Sequence, residues 1–509
     1  MNLRFVPLKL RNGLLFALLL LVISVSSCKK NDPAAPDIDV TDNNKINEWV
    51  AENMRYVYYW NQTIPDNSRL NFSQEPTPFF ETLLNPADRF SWIAKADELE
   101  ESLSGVSTST GINISLAPYN CGNNGDCELF ANVRSVVPGS PAAQAGVERG
   151  TIFIGVNGQR LNTSNYMSVL DPYLKGQGFS INLATLDGNI LTPGNASITL
   201  TATKIAEPSV HFKRVINTPS GRKVGYLFYN RFLNNRVDEL FNAFQEFKAA
   251  GVNELVLDLR YNPGGGIAVA GVLAALIKQN YVSDQVFVNY NYNSILNGEI
   301  PLSQRSQSFA VLFPPVSAKS DEEEAIKEID TKVKAANLNL SKVYILGTGS
   351  SASASELVIH NLAPYMEVIH IGEQTMGKNE GSLTIKDERN PRQIDWAIQP
   401  IVVKLADKNG EGDYDKGLSP DYEVDEFSVL PFLPHGSEED PLIAKALEMI
   451  DPSMAEKTGI AKSMAAQKRQ RLQGAAFKAF EPFQQDEKYI PVQLDGTIDK
   501  NQLKRLIAP

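Results

Sequence analysis

Three regimes of hydrophobic patterning divide the chain. From Asn44, the apolar residues Ile46, Trp49, Val50, Met54, Val57 and Tyr58 recur at three- and four-residue intervals, which puts them on one face of a helix. Pro78 to Leu84 predicts a second helix, and Leu99 to Leu103 belongs to a third. Residues 44–104 therefore read as a small helical N-terminal domain. In residues 105–205 the period shortens to two. Gly111-Ile112-Asn113-Ile114-Ser115-Leu116 alternates, and the stretches 133–137 and 152–156 follow between glycine and proline turns. In residues 206–427 predominantly apolar strands (224–229, 255–259, 343–346, 368–372) alternate with helices (238–250, 271–277, 356–362). Near-continuous apolar strands are those covered on both faces, so this largest unit is predicted as an α/β core. Asp440 to Ile450 is a capped amphipathic helix that opens a C-terminal helical extension over 428–509.

Length and composition fit this division. A chain of 509 residues is too long for one core, and 43% hydrophobic with 21% charged residues describes a globular protein. The net charge of −11 argues against a nucleic-acid partner. The first 27 residues are a targeting segment: Arg4, Lys9 and Arg11 precede an apolar run from Leu14 to Val25 that is short for a membrane span. It ends Val25-Ser26-Ser27-Cys28. Small residues before a cysteine resemble a bacterial lipobox. That resemblance implies that residues 1–27 are a lipoprotein signal peptide, that Cys28 is lipidated, and that the protein is tethered to the membrane of the cell envelope. Residues 28–43, rich in Lys, Asn, Asp, Pro and Ala, are the tether.

Cys121 and Cys127 flank a flexible Gly-Asn-Asn-Gly-Asp loop, and in an oxidising compartment they are expected to form a local disulfide. No third thiol or histidine lies near them in sequence, so no metal site is expected. The aromatic residues Trp49, Tyr58, Tyr59, Trp60, Phe79, Phe80 and Trp92 read as core, with a ligand groove as the weaker alternative.

Candidate chemistry lies in two places. Gly349-Ser350-Ser351-Ala352-Ser353-Ala354-Ser355-Glu356 sits between a strand and a helix, where a helix N-terminus favours developing negative charge. Physics alone does not choose among its serines. The four histidines are scattered, with His370 the candidate for a serine–histidine arrangement, so a serine here needs another amine as base. Upstream, Leu255 to Leu259 runs into Arg260-Tyr261-Asn262-Pro263-Gly264-Gly265-Gly266, a glycine turn able to offer backbone N–H groups to an oxyanion.

The glycine turn, the serine run and the Thr375-Met376-Gly377-Lys378 segment, in this order, resemble the carboxyl-terminal processing (tail-specific) Ser–Lys peptidases. The resemblance implies a crotonase-like β/α core without cofactor. It selects Ser353 as nucleophile and Lys378, 25 residues on, as general base. The oxyanion donors would be Ala354 and one of Gly264 or Gly265. Glu356 matches an acidic position of the family and would orient the lysine. The family often carries a glutamine four residues after the lysine; this chain has Ser382 there. Lys378 must be neutral to accept a proton, so burial has to lower its pKa by about three units.

Gly111-Ile112-Asn113-Ile114, Pro138-Gly139-Ser140-Pro141-Ala142 and Ile154-Gly155-Val156-Asn157-Gly158 together resemble a PDZ domain. Such a module adds an extended peptide beside an exposed strand and holds its terminal carboxylate in backbone N–H groups, here around Gly111, Ile112, Asn113 and Ile114. The expected fold is thus multidomain α/β: peptidase core, PDZ domain and small helical N-terminal domain. The expected partners are protein or peptide substrates with free C-termini. The rival reading is a catalytically weak PDZ scaffold that binds envelope protein tails.

Overall fold

The computed structural model describes residues 42–122, 125–188, 190–455 and 493–497. The expected signal peptide, Cys28, nearly all of the tether and most of residues 456–509 lie outside the described residues. The described chain is multidomain α/β.

At its centre is a six-stranded sheet in the order Val210–Asn217, Lys223–Tyr229, Glu254–Asp258, Lys342–Gly347, Glu367–Gly372 and Tyr422–Glu423. The first pair is antiparallel and the rest are parallel. Successive side chains of these strands point to opposite faces. Leu227, Tyr229, Leu255, Leu257, Val343 and Ile345 pack against the helices Val237–Ala250, Ile267–Ile277 and Ala354–Leu362. Val224, Tyr226, Phe228, Val256 and Leu346 pack on the other face, against Leu442, Ile443, Ala446 and Leu447. Helix Pro441–Ile450, expected as an extension beyond the core, is therefore one of its layers. Its amphipathic period was readable, but its partner face lies far away in sequence.

A second, seven-stranded sheet covers the helical layer. Its main path runs Trp92–Lys95, Trp396–Gln399, Glu380–Lys386, Ile401–Ala406, Val286–Tyr292, Ser306–Ser308, and Gln493–Thr497 pairs in parallel with Glu380–Lys386. Two expectations are corrected here. The N-terminal domain is not purely helical, because Trp92–Lys95 is an edge strand of this sheet, in register from Trp92↔Gln399 to Lys95↔Trp396. Four residues are too few for a period to show, and the partner strand comes late in the chain. The C-terminal extension is not purely helical either, since residues 493–497 form a strand. The predicted N-terminal helices are present at Asn43–Val57, Pro76–Glu81 and Ala96–Leu103. Tyr58, Phe79, Phe80 and Trp92 are buried, in keeping with core packing.

Between these parts stands an antiparallel module with strand order Ile112–Tyr119, Glu128–Val136, Ile152–Val156, Phe179–Asp187, Ile190–Leu200. Cys121 and Cys127 are joined by a disulfide at the tip of its first hairpin. A side chain on Gly111 would meet Ser140 at 2.2 Å, so the loop closes on the helix start only with glycine. Phe427 and Phe432 pack against Phe130, Ile152 and Ile154 and join module to core.

A buried ionic chain crosses that seam. Arg260 donates to Asp258 (2.7 Å) and to Asp440 (2.9 Å), all three out of solvent contact. Arg149 of the module donates to the Tyr261 hydroxyl (2.7 Å) and the Leu433 carbonyl (2.8 Å) and lies 3.6 Å from Asp440. Asp258 and Arg260 lie two residues apart, whereas Asp440, the third member, comes from a distant part of the chain. Removing one partner of a buried pair strands the other charge. Arg260→Leu is therefore expected to cost about 3–5 kcal/mol, whereas Lys175→Ala, which removes an exposed pair with Asp171, should cost less than about 1 kcal/mol. Thermal melts of the two variants against the parent check this; equal shifts would refute it.

Candidate active site

Ser353 stands where strand Lys342–Gly347 turns into helix Ala354–Leu362. Its backbone is at φ 61°, ψ −113°, a region that costs a non-glycine residue roughly 1–3 kcal/mol and persists only when its surroundings enforce it. The neighbouring serines supply much of that enforcement. Ser351 Oγ donates to the Leu259 carbonyl (2.7 Å) and Ser355 Oγ to the Asn262 carbonyl (2.9 Å). Ala352 N–H donates to Asn262 as well (3.1 Å). The four serines that physics alone cannot rank thus separate by geometry, Ser350 Oγ accepting from Arg134 (3.4 Å). Two tie the turn to the glycine-rich loop, while Ser353 Oγ is buried and makes no hydrogen bond among the described residues.

Lys378 is fully buried. Its ammonium lies 4.7 Å from the centre of the Phe90 ring. Burial lowers its pKa from 10.5 to about 7, against the upward pull of the Glu380, Asp88 and Glu356 carboxylates; Arg89 assists the lowering. Asp88, Arg89 and Phe90 come from the N-terminal domain. Asp88 accepts from the N–H groups of Phe90 and Ser91 (both 2.9 Å) and from the Tyr58 hydroxyl (2.7 Å), which fixes this loop. Ser91 Oγ then accepts the Ile401 N–H (2.8 Å), anchoring the loop to the second sheet.

Glu356 joins the two candidates. Its Oε2 accepts the backbone N–H of Ser353 (2.7 Å) and of Lys378 (2.8 Å). Its Oε1 accepts the Gly377 N–H (2.7 Å) and the Thr375 hydroxyl. Burial raises its pKa, and these donors oppose the rise by favouring the carboxylate. The contact to the lysine runs through the main chain, so Glu356 positions the turn that carries Lys378.

The glycine turn lies directly against the serine. A side chain on Gly264, at φ +104°, would sit 2.8 Å from Ser353 Cβ and 3.0 Å from the Ala354 nitrogen. Gly264 N–H donates to the Asn262 side chain (2.8 Å), which is itself held by the Tyr229 carbonyl (2.9 Å). Gly265 N–H has no acceptor among the described residues, and neither has Ala354 N–H. Of the two glycines left open in the sequence, Gly264 therefore has its N–H engaged and Gly265 does not, among the described residues. Ser382 is buried and its Oγ accepts from Gln399 Nε2 (3.0 Å), whose Oε1 accepts the Thr384 hydroxyl (2.6 Å). A glutamine thus reaches this position from the adjacent strand. His370 is not bonded to Ser353; its ring lies against Gly347.

Sequence reasoning missed Asp88, Phe90, Asn262, Glu380 and Gln399. Only Asn262, inside the glycine motif, and Glu380, two residues from Lys378 on the same strand approach, carried any signal. In the β-module, Gly111, Ile112 and Asn113 line a cavity of about 370 Å³ together with Tyr173, Arg231, Tyr261 and Pro263. The Ile114 side chain, like that of Ile112, is in the module's core, and burial pushes the pKa of the neighbouring Tyr173 up to about 12.

Comparison with known proteins is consistent with this arrangement. Residues 223–424 match peptidase family S41, residues 45–92 the peptidase S41 N-terminal domain and residues 133–173 a PDZ domain. A probable CtpA-like serine protease of Staphylococcus aureus is 26% identical over 302 residues, 58% of this chain and 50% of that protein. One from Staphylococcus saprophyticus is 24% identical over 296 residues, with the same coverage. The chain thus matches about half the length of these curated relatives. Among solved structures, a Bacteroides fragilis protein assigned as an S41 protease superposes with a TM-score of 0.63 at 26% identity, covering 79% of this chain and 97% of that one.

The lysine environment makes a prediction independent of any reaction. In ¹⁵N-lysine NMR, Lys378 should titrate near 7. Phe90→Ala, which admits water to the ammonium, should move the midpoint up toward the ordinary lysine range; an unmoved midpoint would show that the ring does not exclude the solvent.

Proposed function

Because this chain belongs to peptidase family S41, with its N-terminal and PDZ domains, we propose that it is a serine endopeptidase acting near the C-termini of protein substrates, with Ser353 as nucleophile and Lys378 as general base. The observation that carries the reading is a lysine brought near neutrality and tied through one carboxylate oxygen to the backbone of a strained serine.

The proposed steps are those of acyl transfer through a serine with an amine as base. Neutral Lys378 accepts the Ser353 hydroxyl proton as Oγ bonds to the substrate carbonyl carbon. The oxygen that becomes negative takes hydrogen bonds from Gly265 and Ala354 N–H. The lysine returns its proton to the leaving amine, the C–N bond breaks, and an acyl-enzyme remains. Water, deprotonated by the same lysine, attacks the ester and frees Ser353. Glu356 acts by position, keeping the serine and lysine turns together. The PDZ domain docks the substrate tail. The rival, a scaffold that binds tails without cutting them, has one feature in its favour: Ser382 stands where the resemblance places a glutamine. Signal peptide, lipidated Cys28 and an envelope address complete the proposal, carried by residues 1–28 of the sequence.

Cleavage of an unfolded protein by the chain starting after Cys28 tests the reading. Ser353→Ala and Lys378→Ala should each lower kcat by on the order of 10⁴-fold or more, with the double variant no worse than either single one. The working form is the neutral lysine, so activity should rise with pH through a midpoint near 7 to a plateau. Glu380→Gln removes the largest opposing charge and should move that midpoint to lower pH. Binding of the tail without cleavage by the parent chain would transfer the case to the scaffold. Separately, Cys28→Ala should shift the full-length protein from the membrane to the soluble fraction of cells; retention on the membrane would remove the lipid anchor from the proposal.

A further inference from the structure

Two cavities meet at one side chain. The first, about 370 Å³, is bounded by the PDZ loop Gly111 to Asn113 and by Tyr261 and Pro263. The second, about 340 Å³, is bounded by Gly265, Gly266, Phe232 and Thr384, the last on the strand that follows Lys378. Arg231 lines both. Pro263 and Gly265 are two residues apart, so the distance between the tail-docking cavity and the oxyanion turn is at most about 7 Å along the chain.

Arg231 is only partly satisfied. Nη2 donates to the Ser102 carbonyl (3.3 Å), while its buried Nε has no hydrogen-bond partner. It forms no ion pair among the described residues. The nearest carboxylate to influence it, Glu207, is already engaged by the Asn230 amide (2.7 Å) and by His211 (3.1 Å). The other charged groups at the second cavity, Lys386 and Glu100, neutralise each other. A guanidinium presents its donors in a planar fork that matches a carboxylate.

We propose that Arg231 is a specificity-determining residue that binds a carboxylate on the C-terminal side of the substrate, at the junction of the two cavities, and so fixes which bond reaches Ser353. This rests on the peptidase reading above. The carboxylate is that of the chain terminus or of an Asp or Glu side chain close to it, and the two sources are separable by experiment. With so short a path between the cavities, the cut falls at a constant, small distance from the anchored group.

The test uses three fluorescent peptides of one sequence: a free acid, its C-terminal amide, and the amide with glutamate as penultimate residue. Binding is measured on Ser353→Ala, with and without Arg231→Gln or Arg231→Lys, and cleavage on the parent chain. The free acid should bind Ser353→Ala roughly tenfold more tightly than the plain amide, a preference abolished by Arg231→Gln and partly kept by Arg231→Lys. Recovery of affinity by the glutamate amide assigns the site to side-chain carboxylates; no recovery assigns it to the terminus. Lengthening the peptide at its N-terminus should leave the cut unchanged when counted from the C-terminus. Equal binding of acid and amide, or a preference that survives Arg231→Gln, would overturn the proposal. Arg231→Lys serves in the same comparison if Arg231→Gln fails to fold. Absence of cleavage by the parent chain, with the binding preference intact, would count against the peptidase reading and not against Arg231.

Discussion

One buried carboxylate organises the site. Glu356 gathers the N–H groups of Ser353, Gly377 and Lys378 and the Thr375 hydroxyl. These donors belong to the ends of two neighbouring parallel strands, which would otherwise lead away from each other. A buried anion is unfavourable unless fully hydrogen-bonded, and here that requirement is met only when both turns are in place. The strained serine backbone and the buried lysine are therefore consequences of the same demand. Burial brings the lysine down to about 7 although three carboxylates pull it up, so desolvation outweighs them. Phe90, with its ring 4.7 Å from the ammonium, is part of that surrounding.

The sequence disclosed what is local or periodic. Apolar runs such as 255–259 and 343–346 marked strands covered on both faces, and the predicted helices fall within a few residues of the observed ones. Ser353 and Lys378 were legible because motif and spacing travel together in one segment. What could not be read depends on residues distant in the chain. Trp92–Lys95 has its partner at Trp396–Gln399. Asp440 completes an ion pair 180 residues away. Phe90 caps a lysine from another domain. Gln399 meets Ser382 across a strand pairing that no spacing rule announces. Glu356 was half legible: its position was marked, but its action on the backbone of Lys378 is a property of the fold.

The seam between PDZ domain and core bears on the same turn. Arg149 grips the Tyr261 hydroxyl, and Arg134 lies 3.6 Å from Glu426, which accepts from that hydroxyl (2.6 Å). Tyr261 immediately precedes Asn262, the residue that fixes Gly264 and the serine turn. The seam and the glycine turn are thus separated by a single peptide unit of well-packed chain.

The loop Asp88 to Ser91 and the strand that follows it also set how far the chain can be shortened. A chain shortened to begin at the PDZ domain would leave strand Trp396–Gln399 with an open edge, a template for pairing between molecules. It would also return Lys378 to water, where it is a permanently charged spectator at neutral pH. The region that looks dispensable in sequence is the one that buries the lysine, so the near-neutral amine that the proposed chemistry requires belongs to the assembled chain and to no segment of it, and on that reading a nascent molecule stays chemically silent until its first-made and later-made parts have closed over one another.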